Sequence, residues 1–120
     1  MIYTTYFAKL KKLPENIVPI AICRYVPKGL NCHRYFELAP NPDTLLDYKH
    51  TGDIEKFTKD YKEQILARLD PCGLVDDLMK LIGNKNIALV CYEKSTDFCH
   101  RHLVADWLRN AGYACEEWED

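Results

Sequence analysis

The sequence predicts an α/β domain with a mainly parallel central sheet and helices on its faces. Three observations predict it. Strand-like and helix-like segments follow one another as strand, strand, helices, strand, helix, strand, a succession that builds parallel sheets through helical crossovers. Two of the strand segments, residues 17–26 and 87–92, are near-continuous apolar runs, as strands buried on both faces require. The chain has 120 residues, 48% hydrophobic and 28% charged. That suits one globular domain over 1–120 and excludes a disordered chain.

Each element has its own signal. Residues 2–8, rich in Tyr, Thr and Phe, read as a first strand. Residues 9–16 connect it to the second, with room for one helical turn. Residues 17–26 form that second strand; Pro19 cannot donate a ladder hydrogen bond, which predicts an irregular or edge position there. Residues 27–42 hold three prolines and the cluster Cys32-His33-Arg34-Tyr35-Phe36. They read as a long loop, a feature often tied to function. Asp43 is placed to cap a short helix over 44–49, and Gly52 separates it from a longer one. Ile54, Phe57, Tyr61, Ile65 and Leu69 recur at helical spacing over 54–69, with a charged outer face. Asp70-Pro71 supplies an N-cap and a first helical position, Leu74, Val75, Leu78, Leu81 and Ile82 the inner face, and Gly83 the stop. The third strand follows at Ile87. Asp97 is placed to cap the last helix, which Gly112 closes, and residues 113–118 read as a short edge strand.

Charge and cysteine usage narrow the function classes. Sixteen basic and eighteen acidic residues leave a net charge of -2, which argues against a general nucleic-acid binder. The N-terminal segment shows no basic leader with a long apolar stretch, and no run reaches the roughly 20 apolar residues that span a bilayer. The expectation is a soluble cytoplasmic protein with no membrane partner. Its six cysteines (Cys23, Cys32, Cys72, Cys91, Cys99 and Cys115) are then expected to be free thiols.

The densest chemistry lies between Asn86 and Ala111. A buried strand breaks at a short polar loop and resumes as a helix. Cys91, Glu93, Cys99, His100 and Arg101 crowd this junction. In parallel sheets sites form at the carboxyl ends of the strands, and that edge also gathers Tyr6 and Arg24. Arg101, with Arg24 and Tyr6, is placed to hold an anion through planar, fork-like donors. His100 and Glu93 are candidates for proton transfer, and Cys91 or Cys99 for a nucleophile activated by the helix N-terminus. The structural alternative is an ion pair between Glu93 and Arg101, with both thiols in the core.

The pattern Leu89-Val90-Cys91-Tyr92-Glu93-Lys94, followed by Phe98-Cys99-His100-Arg101-His102-Leu103-Val104, resembles the family named domain of unknown function 488. Tyr3-Thr4-Thr5-Tyr6-Phe7-Ala8-Lys9, the strand ending in Arg24, and Leu38-Ala39-Pro40 are similar to that family too, so the likeness covers nearly the whole chain. The resemblance implies an α/β fold and singles out Cys91, Glu93, Cys99, His100 and Arg101 as the positions matching its motif. The strand–loop–helix plan is also similar to that of rhodaneses and cysteine phosphatases. Their loop reads Cys-x5-Arg, however, whereas Cys91 to Arg101 reads Cys-x9-Arg without a glycine. No persulfide or phosphocysteine mechanism carries over.

Two functions fit. One is an enzyme acting on a small anionic or nucleotide-like substrate. The other is a non-catalytic module that binds a nucleotide or a nucleic-acid end, using Tyr25, Tyr35 and Phe36 among Arg24, Lys28, His33 and Arg34. A closed pocket with His100 and Glu93 in reach favours the first; a shallow aromatic and basic groove favours the second. Cys91, Cys99 and His100, with Cys32 or His33 reaching over, offer a metal set, but zinc sites show tight Cys-x2-Cys pairs and this chain has none. The sequence points to no cofactor and sets no oligomeric state.

Overall fold

The computed structural model describes residues 1–83, 85–93 and 98–119. Five parallel strands form one sheet: β1 (Ile2–Tyr6), β2 (Ile17–Ala21), β3 (His33–Arg34), β4 (Asn86–Cys91) and β5 (Cys115–Glu117). Their order is β3-β2-β4-β1-β5. The central strand β4 is the apolar run of the junction. It pairs with β1 from Ile2↔Ile87 to Tyr6↔Cys91 and with β2 from Ile17↔Asn86 to Ala21↔Val90. Its residues alternate between two cores. Ile87, Leu89 and Cys91 join the large one, Ala88 and Val90 the small one. That two-sided burial is why the run reads as continuously apolar.

Four α-helices supply the large core: α1 (Pro42–Thr51), α2 (Ile54–Gln64), α3 (Pro71–Ile82) and α4 (His100–Asn110). Phe57, Tyr61, Leu74, Leu78, Val104 and Leu108 pack there with Ile20, Ile22 and Leu89. A 3-10 helix over Phe7–Lys12 covers the other face, with Phe7, Leu10 and Leu13 against Ile17, Ala88 and Val90. Trp118 packs on this small core as well. Asp53 and Asp70 cap α2 and α3, accepting from the N–H groups of Lys56 (3.1 Å) and Gly73 (3.0 Å). Gly83 ends α3 at φ 76°, a left-handed conformation that glycine adopts without a Cβ clash.

Several boundaries differ from the sequence reading, for local reasons. The first strand stops at Tyr6 because the chain turns into the 3-10 helix at Phe7. The second stops at Ala21, although Ile22 still donates its N–H to Val90 O at 3.1 Å. Pro19 lies before the short β3 begins to pair, at the open margin of β2, where its missing donor costs nothing. The loop over 27–42 contains β3 and a 3-10 turn, Phe36–Leu38. The first α-helix is longer than its 44–49 core and begins after Asn41, with Asp43 in its first turn rather than at the cap. The helix over 54–69 gives way at Ile65 to a 3-10 turn, Leu66–Arg68. Asp97 lies outside the described residues; the N-cap position of α4 belongs to Cys99. Among the described residues, no helix is long and apolar enough to cross a membrane.

Candidate active site

The carboxyl ends of β2 and β4 and the start of α4 converge. Cys91 is the last residue of β4 and is fully buried. Cys99 holds the N-cap of α4, and His100 and Arg101 are its first two residues, all three buried. The orientation of His100 is set from outside its own helix. Its Nε2 lies 2.8 Å from the Ile22 carbonyl oxygen, an acceptor only, so Nε2 carries the proton and donates. The ring edge also rests against Tyr61, with centroids 5.4 Å apart. Nδ1 is then the ring's lone-pair nitrogen, and it faces Cys99 Sγ at 3.9 Å.

Cys91 Sγ lies 3.5 Å from Nε2 and 3.8 Å from Nδ1. Near-equal separations put this sulfur abreast of the ring, not along either nitrogen's axis. Cys91, Cys99 and His100 are the one group of possible metal donors among the described residues, all within 4.8 Å of one another. They form a thiol–thiol–imidazole centre.

The two thiols are driven apart electrostatically. Burial pushes Cys91 well above the ordinary thiol range, and the neighbouring Cys99 adds to this. Cys99 is held well below that range, first by the Cys91 thiol that donates toward it, and then by His100 and the main-chain N–H of Arg101. Burial opposes this and loses. The Cys99 sulfur sits at the N-terminus of α4, where the first-turn N–H dipoles favour a thiolate. Cys23 and Cys115 are both pushed up to about 11, chiefly by burial. Glu93 is exposed as a residue, yet its carboxyl is pushed up by desolvation and then by the charge on Cys99.

A cleft of about 230 Å³ reaches this centre at His100 and is walled also by Cys23, Arg24, Tyr25, Lys49, Tyr92 and Glu93; Cys91 and Cys99, both buried, are not among its walls. Arg24 is held at its rim by two bonds to the Pro40 carbonyl, from Nε (3.3 Å) and Nη2 (3.1 Å). Thus Cys91, Glu93, Cys99, His100 and Arg24 gather at one place. Arg101 and Tyr6 fall on the β5 side. Arg101 is fully buried, and its carboxylate partner is Glu117, with Nη2–Oε2 2.9 Å and Nε–Oε1 3.2 Å. Glu93 contributes only its main-chain oxygen, 2.6 Å from Nη1. The Glu93–Arg101 ion pair is therefore replaced by Glu117–Arg101, because the strand register brings Glu117 beside Thr4, whose hydroxyl donates to it at 2.7 Å. The Tyr6 ring lies 5.7 Å from the Arg101 guanidinium. Glu117 and the Ile22 carbonyl escape a reading of the sequence; both enter through register, which no local pattern encodes.

Fold and site together define a class: a parallel α/β domain with a buried thiol–imidazole centre where its middle strand meets its last helix. Within that class, the chain belongs to the DUF488-N3 family. Residues 2–112 match the family model described as the active DUF488-N3 subclade. No curated protein and no solved structure matches the chain.

Proposed function

We propose that the protein is an enzyme that acts on a small anionic or nucleotide-like substrate in the cleft, with Cys99 as nucleophile. The observation that carries this reading is the fixed tautomer of His100. The Ile22 carbonyl holds Nε2–H, which leaves Nδ1 facing Cys99 Sγ at 3.9 Å. A nucleophile, a base and a third group orienting the base is the arrangement thiol catalysis needs. The family model's own description, an active subclade, supports an enzyme over a passive binder.

In this reading Cys99 passes its proton through His100 Nδ1 to solvent. The thiolate sulfur forms a bond to an electrophilic centre of the substrate as that centre's bond to its leaving group breaks. Glu93, whose raised pKa favours its protonated form, gives its proton to the leaving group. Arg24 and Lys49 hold negative charge at the rim. Cys91 donates to the thiolate and keeps it from recapturing a proton.

The test is labelling by methyl methanethiosulfonate, a small thiol reagent, at pH 6 in a Cys72→Ser background that removes the exposed thiol. Peptide mapping should find Cys99 modified first, and His100→Gln should slow that modification by at least tenfold. If Cys99 reacts no faster than Cys23 and Cys115, the centre is structural packing.

A further inference from the structure

We infer that the substrate side of this centre takes a single strand of nucleic acid, laid along the strip Phe36–Arg34–Arg24–Tyr25–Tyr92 with its end in the cleft. The inference rests on the proposed enzyme reading and names its substrate class.

The strip is continuous through side-chain contacts and a shared cleft. The Arg34 guanidinium stacks over the Phe36 ring at 4.4 Å, and its Nη2 donates to the Arg24 carbonyl at 3.1 Å. Arg24 and Tyr25 then wall the cleft, with Tyr92 and His100 across it. A second hollow of about 260 Å³ adjoins it and shares Arg24, Tyr25, Leu45 and Lys49. The binding space therefore runs on past what a single small anion fills.

Charge and exposure indicate the occupant. Both arginines are fastened by main-chain carbonyls, Arg24 by Pro40 and Arg34 by Arg24. Among the described residues neither meets a carboxylate, so their charge stays unneutralised. Arg101, Arg109 and Lys56, by contrast, each sit on one. Three aromatic rings are partly open along the strip: Tyr25 is 69% exposed, Phe36 49% and Tyr92 48%, the last also meeting the Phe7 ring with centroids 4.8 Å apart. Leaving such rings in water is unfavourable for the fold alone. Aromatic faces interleaved with unpaired guanidinium groups match the alternation of bases and phosphates in a single strand. A duplex hides its base faces and would leave the rings unused. Among the described residues Glu93 is the one acidic wall of the cleft, and it stands at the reacting end.

The experiment measures fluorescence anisotropy of labelled ten-residue oligothymidylate and oligouridylate on the intact protein, with a duplex of the same length and adenosine monophosphate as competitors. Both single strands should bind, the duplex at least tenfold more weakly, and affinity should fall with salt with a slope of about -2 for three phosphate contacts. Tyr25→Ala should weaken binding about tenfold, in line with the loss of one stacked base, and Arg34→Gln severalfold. Both residues are exposed, and circular dichroism melts check that the variants fold. Equal binding of duplex and single strand, competition by the mononucleotide as effective as by the oligonucleotide, or wild-type affinity in Tyr25→Ala and Arg34→Gln would each overturn the inference. Cys99→Ser separates the two readings, since it should still bind the oligonucleotide. Strong binding to a protein whose Cys99 proves unreactive would remove the enzyme and keep the strip.

Discussion

Replacing Glu117 with Gln should destabilise the protein far more than an edge-strand substitution ordinarily does. β5 has three residues and, among the described residues, pairs with β1 alone, so local hydrogen bonding makes it a weak element. What distinguishes it is Glu117, which accepts from Arg101 Nη2 (2.9 Å), Arg101 Nε (3.2 Å) and Thr4 Oγ1 (2.7 Å). Arg101 is 0% exposed, so without the carboxylate its charge has no water to turn to. Burial alone would lower the Arg101 pKa; the hydrogen bond to Glu117 and the nearby thiols overcome that and raise it. Breaking a buried pair by removing one charge costs about 3–5 kcal/mol. Glutamine keeps the shape and can still accept one hydrogen bond, so the lower end, about 3 kcal/mol, is expected. For a domain of this size each kcal/mol is worth about 4 °C, which predicts a fall of about 10–15 °C in a thermal melt. Removing charge, counter-charge and hydroxyl together, by Thr4→Val, Arg101→Met and Glu117→Leu, should restore at least half of that loss, because nothing charged is then left buried. A Glu117→Gln protein that melts within about 2 °C of wild type would refute the argument, as would a triple variant less stable than the single one.

Three further outcomes follow from the same geometry. In the Cys72→Ser background, absorbance at 240 nm should report a thiolate well below the ordinary thiol pKa of 9.0 and vanish in Cys99→Ser; because the unfolded chain binds the proton that folded Cys99 has lost, that thiol should make stability rise with pH up to about 9.0, a slope Cys99→Ser should flatten. Tyr61→Phe removes a fully buried hydroxyl that donates to Leu38 O at 2.6 Å, and the carbonyl left unpaired should cost about 1–3 kcal/mol in chemical denaturation. Asp70→Ala removes the cap on Gly73 N–H at the start of α3 and should cost about 1 kcal/mol in the same assay.

The parts of the fold legible in the sequence are those where one physical requirement acts over neighbouring residues. The buried strand at Ile87 declares itself because both its faces meet a core. The start of α3 declares itself because Asp70 and Pro71 each satisfy one position of a helix N-terminus. The gathering of Cys91, Cys99 and His100 follows from a strand and a helix joined by a short loop. The contacts that were not legible join residues far apart in the chain. Glu117 reaches Arg101 only because β5 lies beside β1 in one register. Ile22 orients His100 only because β2 lies beside β4. β3, two residues long inside a proline-bearing loop, is too short for any pattern to mark, and forms because Tyr35 N–H and the Ala21 carbonyl meet at 2.9 Å.

The triplet Cys99-His100-Arg101 shows how chemistry and architecture share one helical turn. In an α-helix successive side chains point about 100° apart. His100 and Arg101, the first two helical residues, and Cys99, the extended N-cap before them, face three parts of the fold: Cys99 the end of β4, His100 the carbonyl that follows β2, and Arg101 the edge strand β5. A cation chosen to bind a ligand would sit where water and ligand can reach it. Arg101 is instead sealed by Glu117, the Glu93 carbonyl and the Tyr6 ring. Its bonds tie the start of α4 to β5, while His100, on the same turn, meets the Ile22 carbonyl. Among the described residues, Arg24 and Arg34 meet no carboxylate, and the proposed substrate site assigns the anion to them. A guanidinium beside a candidate nucleophile is thus assigned by what neutralises it. On the proposed reading, the paired one belongs to the frame and the unpaired ones to the site.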